Sequence, residues 1–123
     1  MPPFRRIGSA LFCLGLGFGM GHLLGLDRAA PASAQDMTLV YARYHMAIRA
    51  AVLCRGVAPD AATWRRWAGY IDAMTEHELG AGERLEAIEG AKTDVRILVR
   101  TRGCDDEDVV YLLNIFDAEL ARQ

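Results

Sequence analysis

From Asp36 to the C-terminus, apolar residues recur at intervals of three and four, and no stretch alternates with period two over a useful length. A chain patterned in this way buries one stripe per helix and offers no amphipathic strand to a sheet, so the expected fold is all-α. Four segments carry the pattern. In the first, from about Asp36 to Cys54, the stripe is Met37, Val40, Tyr41, Tyr44, Ile48 and Val52, and Arg55-Gly56 ends it, glycine being the residue that takes a left-handed cap at no steric cost. Pro59-Asp60 opens the second, where the Asp60 carboxylate suits the exposed amides of a helix start; its stripe is Trp64, Trp67, Ile71 and Met74, and it is expected to run to Gly80. The third, about Gly82 to Arg102, is expected to bury Leu85, Ile88, Ala91, Val95 and Leu98, with Gly103 as its stop. The fourth starts at Cys104-Asp105 and carries Val109, Leu112, Leu113, Phe116 and Leu120 along one side. Connections of a few residues favour antiparallel neighbours, which predicts a small up-down four-helix bundle.

Ahead of this domain lies a segment of a different kind. Arg5 and Arg6 precede an apolar run from Ile7 to Leu26, and the stretch after it closes on Ala32-Ser33-Ala34, which suits cleavage before Gln35. The expected organisation is therefore residues 1–34 as a signal peptide or N-terminal membrane anchor plus spacer, and residues 35–123 as a single helical domain. The two readings of the leader pull apart on its length. Twenty residues at 1.5 Å each reach about 30 Å, enough to cross the hydrocarbon layer, whereas a signal-peptide core is about 7 to 15 residues long. Against retention stand His22 and the glycines Gly8, Gly15, Gly17, Gly19, Gly21 and Gly25, which weaken both hydrophobicity and helix propensity. If the run is kept, Gly17, Gly21 and Gly25 share one helical face at the small-xxx-small spacing of close membrane-helix pairs. A twin-arginine leader is a third reading, although the residues flanking Arg5-Arg6 lack its fuller consensus.

Export bears directly on the cysteines. Cys13 belongs to the leader, which leaves Cys54 and Cys104 as an even pair in an oxidising compartment, periplasmic or secreted, where a disulfide is the default. The pairing also agrees with the helix pattern: the end of helix one and the start of helix four fall at the same end of an up-down bundle. With 89 of 123 residues left, the core is modest and a covalent tie is useful. Loss of Arg5, Arg6, Arg28 and Asp27 leaves 11 basic and 15 acidic residues. That mild acidity argues against a nucleic-acid partner, which needs a clustered basic footprint.

Catalytic and metal constellations are not legible. His45 and His77 lie on different helices, and neither has a second His or Cys three or four residues away, as zinc sites commonly do. There is no C-x-x-C-H for haem, and Met37, Met46 and Met74 fit ordinary apolar positions or their margins. No serine follows Ser33, so a serine nucleophile is excluded from the domain. The run Asp105, Asp106, Glu107 and Asp108 sits at a predicted helix start, where negative charge favours the positive end of the helix dipole, and it lacks the alternating ligands and turn glycine of a calcium loop. The expectation is a protein that is not an enzyme and carries no cofactor.

The most suggestive group is aromatic. Trp64 and Trp67, three residues apart, either both pack in the core or, with Arg65 and Tyr70, form a partner-facing patch of the composition enriched in binding hot spots. Similarly Tyr41, Tyr44, His45 and Arg49 either edge a groove between helices one and two or form a boundary layer with polar tips at water. An exported helical domain of about 90 residues with one bridge resembles in architecture the acid-resistance chaperones and the small periplasmic immunity proteins, with no residue motif to carry roles across. The sequence therefore points to a noncatalytic exported protein that binds an unidentified protein partner, as accessory subunit, chaperone, inhibitor or immunity factor. The alternatives are a membrane-anchored accessory module that retains residues 7–26 as a transmembrane helix, contacting membrane only in that case, and a small cofactor- or metal-carrying bundle.

Overall fold

The computed structural model describes residues 32–76 and 78–123, with side chains from residue 37 onward. The expected leader, with its apolar run and Cys13, and also His77 lie outside the described residues. Among the described residues all regular structure is helical: α1 (Ala32–Arg55), α2 (Ala61–Met74), α3 (Ala81–Arg102) and α4 (Glu107–Ile115), the last continued by a π-helical turn, Phe116–Leu120. Ala34–Gln123 forms one compact unit, a helical bundle.

Local chemistry explains most of the boundaries. Helix α1 begins at Ala32, earlier than Asp36, because Ala32, Ala34 and Gln35 are good helix formers. Its end matches expectation: Gly56 follows Arg55 at φ 66°, and the Val57 amide folds back onto the Ala51 carbonyl. Asp60 is the N-cap of α2, its Oδ1 accepting from the Thr63 amide at 2.7 Å. That helix stops at Met74 and not at Gly80. The buried Thr75 hydroxyl donates to the Ile71 carbonyl at 2.9 Å, Glu76 turns the chain at φ 58°, and Leu79 plugs the core from outside any helix. Helix α4 starts two to three residues later than expected, with Asp106 as its cap, accepting from the Asp108 amide at 3.0 Å. Glu107 and Asp108 occupy the first turn, where they complement the helix dipole.

The core draws on all four helices and the final turn. Every expected residue of the last segment is buried: Val109, Leu112, Leu113, Phe116 and Leu120. On α1 the buried set is Tyr41, Tyr44 and Ile48 together with Ala47, Ala50 and Ala51, whose small side chains let neighbouring backbones approach closely. Two expectations fail at single residues. Leu85 is 61% exposed, because α3 buries the row Ala87, Ala91 and Val95, and at 100° per residue Leu85 lies about 120° from the centre of that stripe. On α2, Trp67 and Ile71 are buried with Thr75, while Met74, at the helix end, is exposed. Cys54 and Cys104 are bonded, with Cα atoms 5.8 Å apart, inside the usual range for the bond.

Candidate functional site

The aromatic group around α2 is divided by the fold. Trp67 is 4% exposed; its Nε1 donates to the Leu120 carbonyl at 2.9 Å and its ring meets Phe116 edge to face at 5.4 Å. It is a core residue that anchors the C-terminal turn. Trp64 has the same helical phase but lies in the first turn of α2, and it is 41% exposed. Arg65 is exposed beside it. Tyr70 faces another way: its hydroxyl donates to Glu119 Oε2 at 3.0 Å, and the Tyr44 hydroxyl donates to the same oxygen. Burial, followed by the Glu119 carboxylate, raises the pKa of both phenols. This cluster joins α1, α2 and the C-terminal turn, and Arg55 pairs with Asp117 on the same turn. The expected four-residue patch thus reduces at the surface to Trp64 and Arg65, with Tyr70 half-buried.

A larger feature that periodicity did not expose lies between α1, α3 and α4. Leu39, Ala42 and Met46 of α1, Leu98 of α3, and Tyr111 and Leu112 of α4 line a groove of about 480 Å³. Leu39 is 61% and Tyr111 54% exposed, and Ile97 and Val110 add exposed apolar surface on α3 and α4. Arg43, Asp94 and Asp108 are the charged residues of its lining. Asp108 is held by Arg102 at 2.9 Å, whereas Arg43 and Asp94 enter no ion pair among the described residues. Arg43 and Tyr111 also line a smaller hollow with Val40, Tyr44, Ile115 and Glu119, so the feature continues along α1 and α4. The sequence signal was present, in the sense that Leu39, Ile97, Val110 and Tyr111 are apolar residues off the main stripes.

A third feature is small and more enclosed. His45, Ile48, Arg49 and Val52 of α1, Trp64 of α2, and Ile88 and Lys92 of α3 surround a cavity of about 70 Å³. Burial lowers the pKa of His45 to about 4, an effect that the charge of Asp72 partly opposes and that of Lys92 reinforces, so the imidazole is neutral at pH 7. Of the four α1 residues expected to edge a groove, His45 and Arg49 line this cavity and Tyr41 and Tyr44 are buried.

Among the described residues no group of three or more His, Cys, Asp or Glu side chains is placed to hold a metal ion, and no helix is long and apolar enough to cross a membrane. No family model, no curated protein and no solved structure matches the chain. The surfaces themselves are therefore the basis for a functional reading.

Proposed function

We propose that the chain is an exported, noncatalytic up-down bundle that acts by binding another protein, with residues 1–34 as its leader. The observation that carries this reading is the groove between α1, α3 and α4, where exposed apolar side chains are accompanied by Arg43, Asp94 and Asp108. A soluble domain gains nothing from such a patch unless something covers it. The walls are helices, and the occupant that continues ridge-into-groove packing is an amphipathic helix of the partner, apolar toward Leu39, Met46, Leu98 and Tyr111. An acidic residue on it would complement Arg43, and a basic residue would complement Asp94. The Cys54–Cys104 bond supports the exported setting, because such bonds persist in oxidising compartments.

The test begins with the natural product of the host. Its intact mass should lack residues 1–34; a mass that includes them replaces the released form by a membrane-anchored one. A partner identified by co-purification from the envelope is then reconstituted with the purified chain. Tyr111→Asp and Leu39→Asp should each weaken the complex at least tenfold while leaving the melting temperature nearly unchanged, both residues being exposed. Wild-type affinity in both variants would refute the groove as the binding surface. Self-association that these variants abolish would make the occupant a second copy.

A further inference from the structure

The groove between α1, α3 and α4 holds one cation and one anion that the fold leaves unused. Arg43 of α1 and Asp94 of α3 both line it, both are exposed, and neither enters an ion pair among the described residues. The third charged residue of the lining, Asp108, is neutralised by Arg102 at 2.9 Å. The open charges of the groove therefore cancel. Each also stands beside exposed apolar surface on its own helix: Leu39 lies one turn before Arg43, and Ile97 one turn after Asp94. Such a surface is complementary to itself. In an isologous interface the same patch faces its copy across a two-fold axis, so a residue of one sign meets the residue of opposite sign twice over. The formal net charge of −2 leaves little long-range repulsion to keep two copies apart.

We propose that, in the absence of the partner, a second copy of this chain closes the groove about a two-fold axis, with Arg43 of each copy against Asp94 of the other. The inference rests on the reading of this groove as a protein-binding surface and supplies its resting state. Leu39 shares a helix face with Arg43, so it is carried with Arg43 into the groove of the other copy and covered there together with Tyr111. The two charges also fix the register. Arrangements that bring Arg43 against Arg43, or Asp94 against Asp94, place like charges together and are disfavoured. A partner helix that is acidic toward Arg43 and basic toward Asp94 repeats the contacts of the copy, and gains the surface only by displacing it. Self-association and partner binding are then alternatives, and apparent affinity for the partner falls as the chain becomes more concentrated.

The experiment is sedimentation equilibrium of the natural, disulfide-intact protein without any partner. The wild-type chain should dimerise. Arg43→Asp and Asp94→Arg should each weaken the dimer at least tenfold while leaving the melting temperature nearly unchanged, both residues being exposed. An equimolar mixture of the two variants should dimerise again. One chain of the mixture is then acidic at both positions and the other basic at both, so every contact across the axis is once more between opposite charges. A wild-type monomer up to millimolar concentration, a dimer that neither reversal weakens, or a mixture that stays monomeric would each overturn the proposal. Its failure is distinguishable from failure of the groove as a partner site. A monomer whose partner affinity still falls in Tyr111→Asp and Leu39→Asp overturns the self-covered state alone, and a charge-dependent dimer whose partner affinity is unchanged in those variants overturns the partner site alone.

Discussion

His45 shows how one buried side chain governs the response of the fold to acid. Its ring lies 4.7 Å from that of Tyr41, and burial, acting against the charge of Asp72, holds its pKa near 4. An unfolded histidine titrates near 6.5, so between those values the unfolded chain takes up a proton that the folded chain refuses. The stabilisation is complete above about pH 6.5 and is lost as pH falls toward 4. Allowing for partial solvent access, about 2 kcal/mol is at stake, or roughly 10 °C in melting temperature for a domain of this size. Melting curves at pH 7 and pH 4.5 should show that drop, and His45→Gln, which cannot charge, should flatten it. A slope unchanged in the variant would assign the acid sensitivity elsewhere. Asp60 and Asp117, whose pKa values are lowered by the Thr63 amide and by Arg55 respectively, contribute stability that is lost only below the ordinary carboxylate range, so the two effects separate on the pH axis.

At the scale of elements, the helix ends carry most of the local design. Asp60 caps α2 through a 2.7 Å bond to the Thr63 amide, and Asp60→Ala should lower the melting temperature by several degrees. The other end of α2 carries strain. Glu76 sits at φ 58°, a conformation that crowds the Cβ of an L-residue, and Glu76→Gly should raise stability by up to about 1 kcal/mol. A fall in melting temperature for Glu76→Gly would mean that the greater freedom of glycine in the unfolded chain outweighs the relief. The Asp60 cap was legible because it depends on a few adjacent residues. The early stop of α2 was not, since it depends on Thr75 and Leu79 being drawn into a core assembled from other helices. The π-helical turn is a similar case: it places Phe116 and Leu120 in the core together while the Leu120 carbonyl receives Trp67 Nε1.

For the whole molecule, the bond between Cys54 and Cys104 closes a loop with a sequence separation of 50. A cross-link over such a loop restricts the unfolded chain by about 4 kcal/mol in the chain-entropy model, a large share of the stability of a small domain. Replacing both cysteines by alanine, which avoids a stray thiol, should lower the calorimetric melting temperature by more than about 10 °C. Unchanged melting would show that the bond adds nothing to the fold. Because the bond joins the end of α1 to the chain just before α4, and the groove is walled partly by those two helices, the double variant should also weaken any partner held there.

Four helical segments, the complete buried stripe of the last one, the cap at Asp60 and the pairing of Cys54 with Cys104 were all readable from residue order, because periodicity, capping chemistry and cysteine count are local or combinatorial properties. Tertiary structure alone decided which of two tryptophans in the same phase was covered, that Leu85 faced water while Ala47, Ala50 and Ala51 became core, and that Arg49, Trp64 and Lys92 met around one cavity. Helical phase reports the direction in which a side chain points. Where the neighbouring helix ends, and how closely its backbone approaches, depends on residues distant in sequence, and those two distances decide between a core position, a groove and a cavity.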